Sequence, residues 1–145
     1  VGTSLALPAG IYTITPVAPN YPGATYTAAN RFSAVDTNLN RGWEWSVYTS
    51  LDGGATSVKH GYGGGIPSVD QPYQPTAAAA FAAAPAPFNV TLNSPGNLFL
   101  FWIDDNFSDN QGGMSVDVQA VPEPASLIAL GLGAAAVIRR KRSRR

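Results

Sequence analysis

"GWEWSVYTS" runs from Gly42 to Ser50 and decides how the rest of the chain reads. Its side chains alternate: Trp43, Trp45 and Val47 fall on one face, Glu44, Ser46 and Tyr48 on the other. A period of two with aromatic and β-branched residues is the mark of a strand with one face toward a core. Working outward, "GIYTITPV" (Gly10–Val17) sets Tyr12 and Ile14 against Thr13 and Thr15, and "FNVTLN" (Phe88–Asn93) groups Phe88, Val90 and Leu92. "MSVDVQA" (Met114–Ala120) points Met114, Val116 and Val118 inward. "NLFLFWID" (Asn97–Asp104) is apolar on both faces and is expected to be covered on both sides. Short strands separated by Gly, Pro and Asn predict a mainly β body over residues 1–120, an antiparallel β-sandwich of jelly-roll kind.

Two segments interrupt this pattern. "LDGGATSVKHGYGGGIPSVDQPYQP" (Leu51–Pro75) is dense in Gly and Pro and predicts a long loop with room for one short edge strand. "TAAAAFAAAPAP" (Thr76–Pro87) predicts a two-turn helix around Phe81, capped by Thr76 and stopped by Pro85. So short a helix is marginal alone and must pack on a sheet.

Charge is distributed unevenly along the 145 residues. The formal net charge is zero, yet six of the nine Lys and Arg lie between Arg139 and Arg145. Residues 1–120 hold three basic residues against eight acidic ones, which leaves the body about five charges negative. An acidic body poor in lysine argues against a nucleic-acid partner, which needs a basic patch. The absence of cysteine excludes disulfides, a thiol nucleophile and zinc–thiolate sites.

The loop "DDNFSDNQGG" (Asp104–Gly113) is the richest in oxygen ligands, and Asp104, Asp105, Asp109 and Asn110 are its candidate metal ligands. Ca²⁺ takes six to eight oxygens from such groups, and it is the one cofactor the sequence suggests. The spacing is not that of an EF-hand: with Asp104 at position 1, Ser115 stands where the closing Glu belongs. The same composition suits a long hairpin turn, with Gly112–Gly113 supplying positive φ, so turn and ion site both stand. The pattern resembles, over about fifteen residues, the calcium loop of bacterial galactose-binding lectins, with Asp109 and Asn110 at the ligand positions and Asp104 out of register.

Trp43, Trp45 and Tyr48 are the candidate sugar-stacking residues, with burial in the core as the competing role for two tryptophans on one strand face. Tyr21, Tyr26, Tyr62 and Tyr73 fall in loop-like stretches and could rim a ligand. Catalysis has little to build on. His60 is the single histidine, Glu44 reads as a solvated strand residue with no placed second carboxylate, and there is no nucleophile elbow or phosphate loop. The sequence therefore predicts a non-enzymatic protein.

The chain closes with "VPEPASLIALGLGAAAVIRRKRSRR" (Val121–Arg145). Ala125–Ile138 is an uncharged run, apolar apart from Ser126. As a helix its fourteen residues would be about 21 Å long against a hydrocarbon core of about 30 Å. Pro124 suits the first helical position, and Arg139, Arg140, Lys141 and Arg142 form a basic stop that orients the C-terminus toward the cytoplasm. The expectation is a short transmembrane-type helix over residues 125–138.

Val121, Pro122, Glu123 and Pro124, the short apolar run and the basic tail, in that order at the C-terminus, closely resemble the PEP-CTERM sorting signal of exported proteins in Gram-negative bacteria that make extracellular polysaccharide. The resemblance implies exosortase, a membrane-embedded cysteine protease, as processing partner, with cleavage near Pro122–Pro124 and a transient membrane anchor. It implies a division into an exported body (1–120) and a sorting signal (121–145), and a final place in the cell envelope or extracellular matrix. An export signal is then expected in the precursor. "AGIYTITPV", "GWEWSVY", the Ala-rich segment and "WIDDNFSDNQGGMSVDV" also resemble one recurring type of PEP-CTERM ectodomain. The leading expectation is an exported envelope or matrix protein; the alternative is a calcium-assisted, lectin-like module that binds extracellular polysaccharide.

Overall fold

The structure, a computed structural model, describes residues 2–32, 40–62, 73–103 and 110–122. The strands are β1 (Gly2–Leu7), β2 (Gly10–Val17), β3 (Ala29–Phe32), β4 (Asn40–Ser50), β5 (Val58–Tyr62), β6 (Phe88–Leu92), β7 (Gly96–Phe101), β8 (Gln111–Gly112) and β9 (Ser115–Ala120), with one helix, α1 (Ala77–Ala82). They form two sheets, one ordered β1-β7-β4-β3-β8 with β5 also paired to β4, the other β6-β2-β9. Each pairing is antiparallel.

The alternation read from the sequence sets the inner faces. Ile14 stands opposite Phe88 on one side and Val118 on the other, which lines up the core face of the second sheet. Across from it, the first sheet contributes Trp45, Val47, Leu98 and Leu100 to one shared core. Ile14, Trp45 and Leu98 are completely buried; burial of an aliphatic side chain of this size contributes about 1.5–3 kcal/mol. Helix α1 forms as its sequence implies. The Thr76 hydroxyl accepts from the Ala79 N–H at 3.1 Å, and Ala80 is buried in the same core. The short edge strand expected within residues 51–75 is β5.

One expectation is overturned on β4. Its polar face is not solvated: Glu44 and Ser46 are completely buried, and Ser50 nearly so. The reason lies 58 residues away, where Trp102 Nε1 donates to Glu44 Oε1 at 2.5 Å. Beside that contact, the Phe101 ring stacks on Tyr48 at 5.8 Å. A buried carboxylate persists only where hydrogen bonds offset its lost hydration.

The two sheets give the body two unlike poles. At one pole lie the tight links Pro8–Ala9, 51–57 and 93–95, and the end of β9, where Ala120 pairs with Tyr12. At the other lie the segment 18–28, β3, β8 and the end of β7. The lateral edges differ as well. Where β5 faces β6, His60 stacks on Phe88 with centroids 3.7 Å apart and closes the edge. Where β1 faces β9, the sheets part.

Candidate functional site

The parted edge forms a cleft of about 610 Å³ at the pole of the long segments. Its floor is aliphatic, with Leu5 from β1, Val47 from β4, Leu100 from β7 and Val116 and Val118 from β9. Its rim carries Tyr21, Tyr26, Trp102, Asn110, Ser115 and Asp117. No Lys, Arg or His is among the described residues that line it.

Local chemistry fixes the two rim tyrosines. The Ser115 hydroxyl oxygen accepts from the backbone N–H of Thr25 at 3.2 Å and of Tyr26 at 3.0 Å, which ties the 18–28 segment to the start of β9. The Gly113 N–H donates to Ala28 O at 3.1 Å, and the Tyr26 ring lies against Gly113, where a Cβ would approach it to 3.1 Å. Gly112 adopts φ +81°, and a Cβ there would collide with the Ala28 carbonyl oxygen. The glycine pair thus serves close backbone approach between β8 and β3 as well as a turn. Tyr21 sits in a turn closed by its own N–H to Ala18 O (2.9 Å) and by Ala24 N–H to Tyr21 O (3.0 Å). A hydrogen bond to the Asp117 carboxylate, followed by desolvation and the charge of Asp117, raises the phenol above its ordinary 10.0, against a small opposing effect of Gln119. Gln119 Nε2 donates to Asp117 Oδ2 at 2.6 Å and steadies that carboxylate. Tyr21 and Tyr26 remain 39% and 48% exposed, so both rings are held but open.

The residues singled out from sequence fall as follows. Trp43, Trp45 and Tyr48 do not assemble a stacking platform. Trp45 is completely buried, Tyr48 nearly so, and half-buried Trp43 packs against the core. Strand alternation also sends Tyr48 to the face opposite the two tryptophans. Asp104, Asp105 and Asp109 lie outside the described residues; Asn110 is described and lines the cleft. Among the described residues no group of three or more His, Asp or Glu could hold a metal. His60 lies at the opposite edge of the sheets, where its Nε2 is 3.0 Å from Thr49 Oγ1 and burial lowers its pKa below 6.5. Asp117, the carboxylate that the described lining supplies, escaped the sequence reading because it alternates with Val116 and Val118 like any solvated strand residue. Tyr21 and Tyr26 were legible only as loop aromatics.

At the other pole, the body ends in an ordered way. The Val121 N–H donates to Ile11 O at 2.8 Å, and Val121 and Pro122 are exposed beyond it. Glu123 and Pro124, the apolar run 125–138 and the basic residues Arg139, Arg140, Lys141 and Arg142 lie outside the described residues. Among the described residues no helix is long and apolar enough to cross a membrane.

Comparison with known proteins adds one finding. Residues 120–145 match the family model of the PEP-CTERM protein-sorting motif. The chain therefore carries the signal of an exported protein that is anchored at the membrane and then processed by exosortase. No curated protein and no solved structure matches the chain.

Proposed function

We propose that this is a non-enzymatic protein of the cell envelope or extracellular matrix. Its β-sandwich body, of jelly-roll kind, is delivered by its C-terminal signal and separated from that signal by exosortase at or near Pro122–Pro124. The observation that carries this reading is the sorting-motif match over residues 120–145. The body's anatomy is compatible with it. The core cluster is drawn from residues between Leu5 and Val118, and the last sheet hydrogen bond is made at Val121. Cleavage after that point removes no described core contact, so the released body keeps its fold. In this reading residues 125–138 hold the chain at the membrane with the C-terminus cytoplasmic. A run of about 21 Å can manage this with arginine stems that snorkel and a locally thinned bilayer. The test is the terminal mass and location of the protein in an exosortase-bearing host. A body ending near Pro122 outside the cytoplasm is expected, and an intact cytoplasmic chain would refute the reading.

A second reading gives the body a calcium-assisted carbohydrate-binding role, with Asp104, Asp105, Asp109 and Asn110 as ligands of the ion. The placement of Asn110 on the cleft favours it. Calorimetric titration with Ca²⁺ tests the ion: heat abolished by EDTA is expected, and none up to millimolar concentration would refute it.

A further inference from the structure

We propose that the cleft between β1 and β9 binds a neutral, hydroxyl-rich glycan chain, stacked on Tyr21 and Tyr26 and presented at the pole of the body farthest from the sorting tail. This goes beyond the sorting reading, and it needs no metal ion.

Topology carries the placement. β9 begins at the cleft with Ser115 and ends at Ala120, beside the exit of the tail. Its six residues separate the two by about 17 Å, at about 3.4 Å per residue. The links Pro8–Ala9, 51–57 and 93–95 share the tail's pole, while the 18–28 segment that bears both tyrosines lies at the other. A body held by its tail therefore directs the cleft away from its point of attachment.

Chemistry carries the choice of ligand. The Tyr26 ring lies against Gly113, and the residue is still 48% exposed at the rim of the cleft. An aromatic ring with a wet edge and a fixed backbone offers large contact area at little cost in ordering. Beside the rings, Asp117 and the Ser115 hydroxyl supply acceptors and a donor for hydroxyl groups. The described lining contains no cation and includes one carboxylate, in a body about five charges negative. That balance repels anionic polysaccharides and phosphates and is compatible with uncharged sugars.

The experiment uses the full chain in a detergent without a sugar headgroup, titrated in EDTA with soluble neutral glucans, galactans and mannans, and with alginate as the anionic control. Tyrosine and tryptophan fluorescence and calorimetry give the affinity. At least one neutral polysaccharide is expected to bind with the tail still in its micelle, and alginate is not. Tyr26→Ala and Tyr21→Ala should each weaken that binding about fivefold to tenfold, the loss of one stacking contact, while Tyr26→Phe keeps it. Circular dichroism melts confirm which variants fold, and Tyr21, in an exposed turn, serves if Tyr26→Ala does not. Absence of binding across the neutral panel overturns the proposal. So does preference for alginate, binding that requires Ca²⁺, or binding untouched by both alanine variants. Uptake of an anilinonaphthalene dye that no sugar displaces would assign the cleft to apolar ligands and overturn it equally.

Discussion

Gly54 and Gly61 share a backbone φ of +97° but sit in opposite surroundings. A Cβ at Gly54 meets nothing within 4 Å, whereas one at Gly61 collides with the Trp45 carbonyl oxygen and lies 3.1 Å from Ser46 Cα. The obstacle at Gly61 is the backbone of β4, which pairs with β5 through Ser46 and Gly61, so it cannot rotate aside as a side chain would. Alanine at either position bears the left-handed backbone penalty of about 1–2 kcal/mol. At Gly61 the strands must also part, which adds about 1–3 kcal/mol on the scale of overpacked interiors. Gly61→Ala should therefore cost about 2–5 kcal/mol and Gly54→Ala about 1–2 kcal/mol. With a urea m-value of about 2 kcal/mol/M, the midpoints fall by about 1–2.5 M and 0.5–1 M respectively. Equilibrium urea unfolding followed by tryptophan fluorescence reads both directly, and equal m-values show that only stability has changed. Equal losses from the two variants would refute the close β5–β4 approach.

Other expectations follow from the closed edge and from the helix. Burial lowers the His60 pKa below 6.5, so the unfolded chain binds the extra proton first as pH falls. Stability contributed by the neutral ring is thus present above about pH 6.5 and is lost as pH drops through the folded-state pKa. Urea midpoints should decline between pH 7.5 and 5 in the native protein and much less in His60→Phe, which keeps the stack on Phe88; identical slopes would contradict the buried placement. Thr76→Ala removes the cap that accepts from Ala79 N–H and should cost about 1 kcal/mol in the same assay. An unchanged midpoint would mean that α1 does not depend on its cap.

Most inner strands were legible because each carries its own period of two: β2, β4, β6 and β9 present the inward residues that alternation assigns, while β7, apolar on both faces in the sequence, turns Leu98 and Leu100 to the core. β1 was missed because "GTSLAL" is an edge strand with few inward apolar residues, and β8 because two residues hold no period at all. The burial of Glu44 was illegible for a different reason. Locally it is a polar residue on the outward phase of a strand, and its hydrogen bond from Trp102, 58 residues on, is a long-range contact that no local pattern shows. The cleft shares this property, since β1, β7, β9 and the 18–28 segment contribute to it and none of them announces it alone. Trp45 takes the core role that its strand face allowed, while Tyr21 and Tyr26, which obey no pattern, are exposed. The tail was legible because a sorting signal is read as a linear sequence, one part after another.

The most direct test of the account is the intact mass of the protein recovered from an exosortase-bearing Gram-negative host, fractionated into cytoplasm, membrane and exterior. The account expects a chain that has lost its basic residues, ends near Pro122–Pro124 and lies outside the cytoplasm. Replacement of Pro122, Glu123 and Pro124 by alanine should leave an uncleaved chain, still ending in Arg145, in the membrane fraction. A full-length cytoplasmic product from both forms would contradict it.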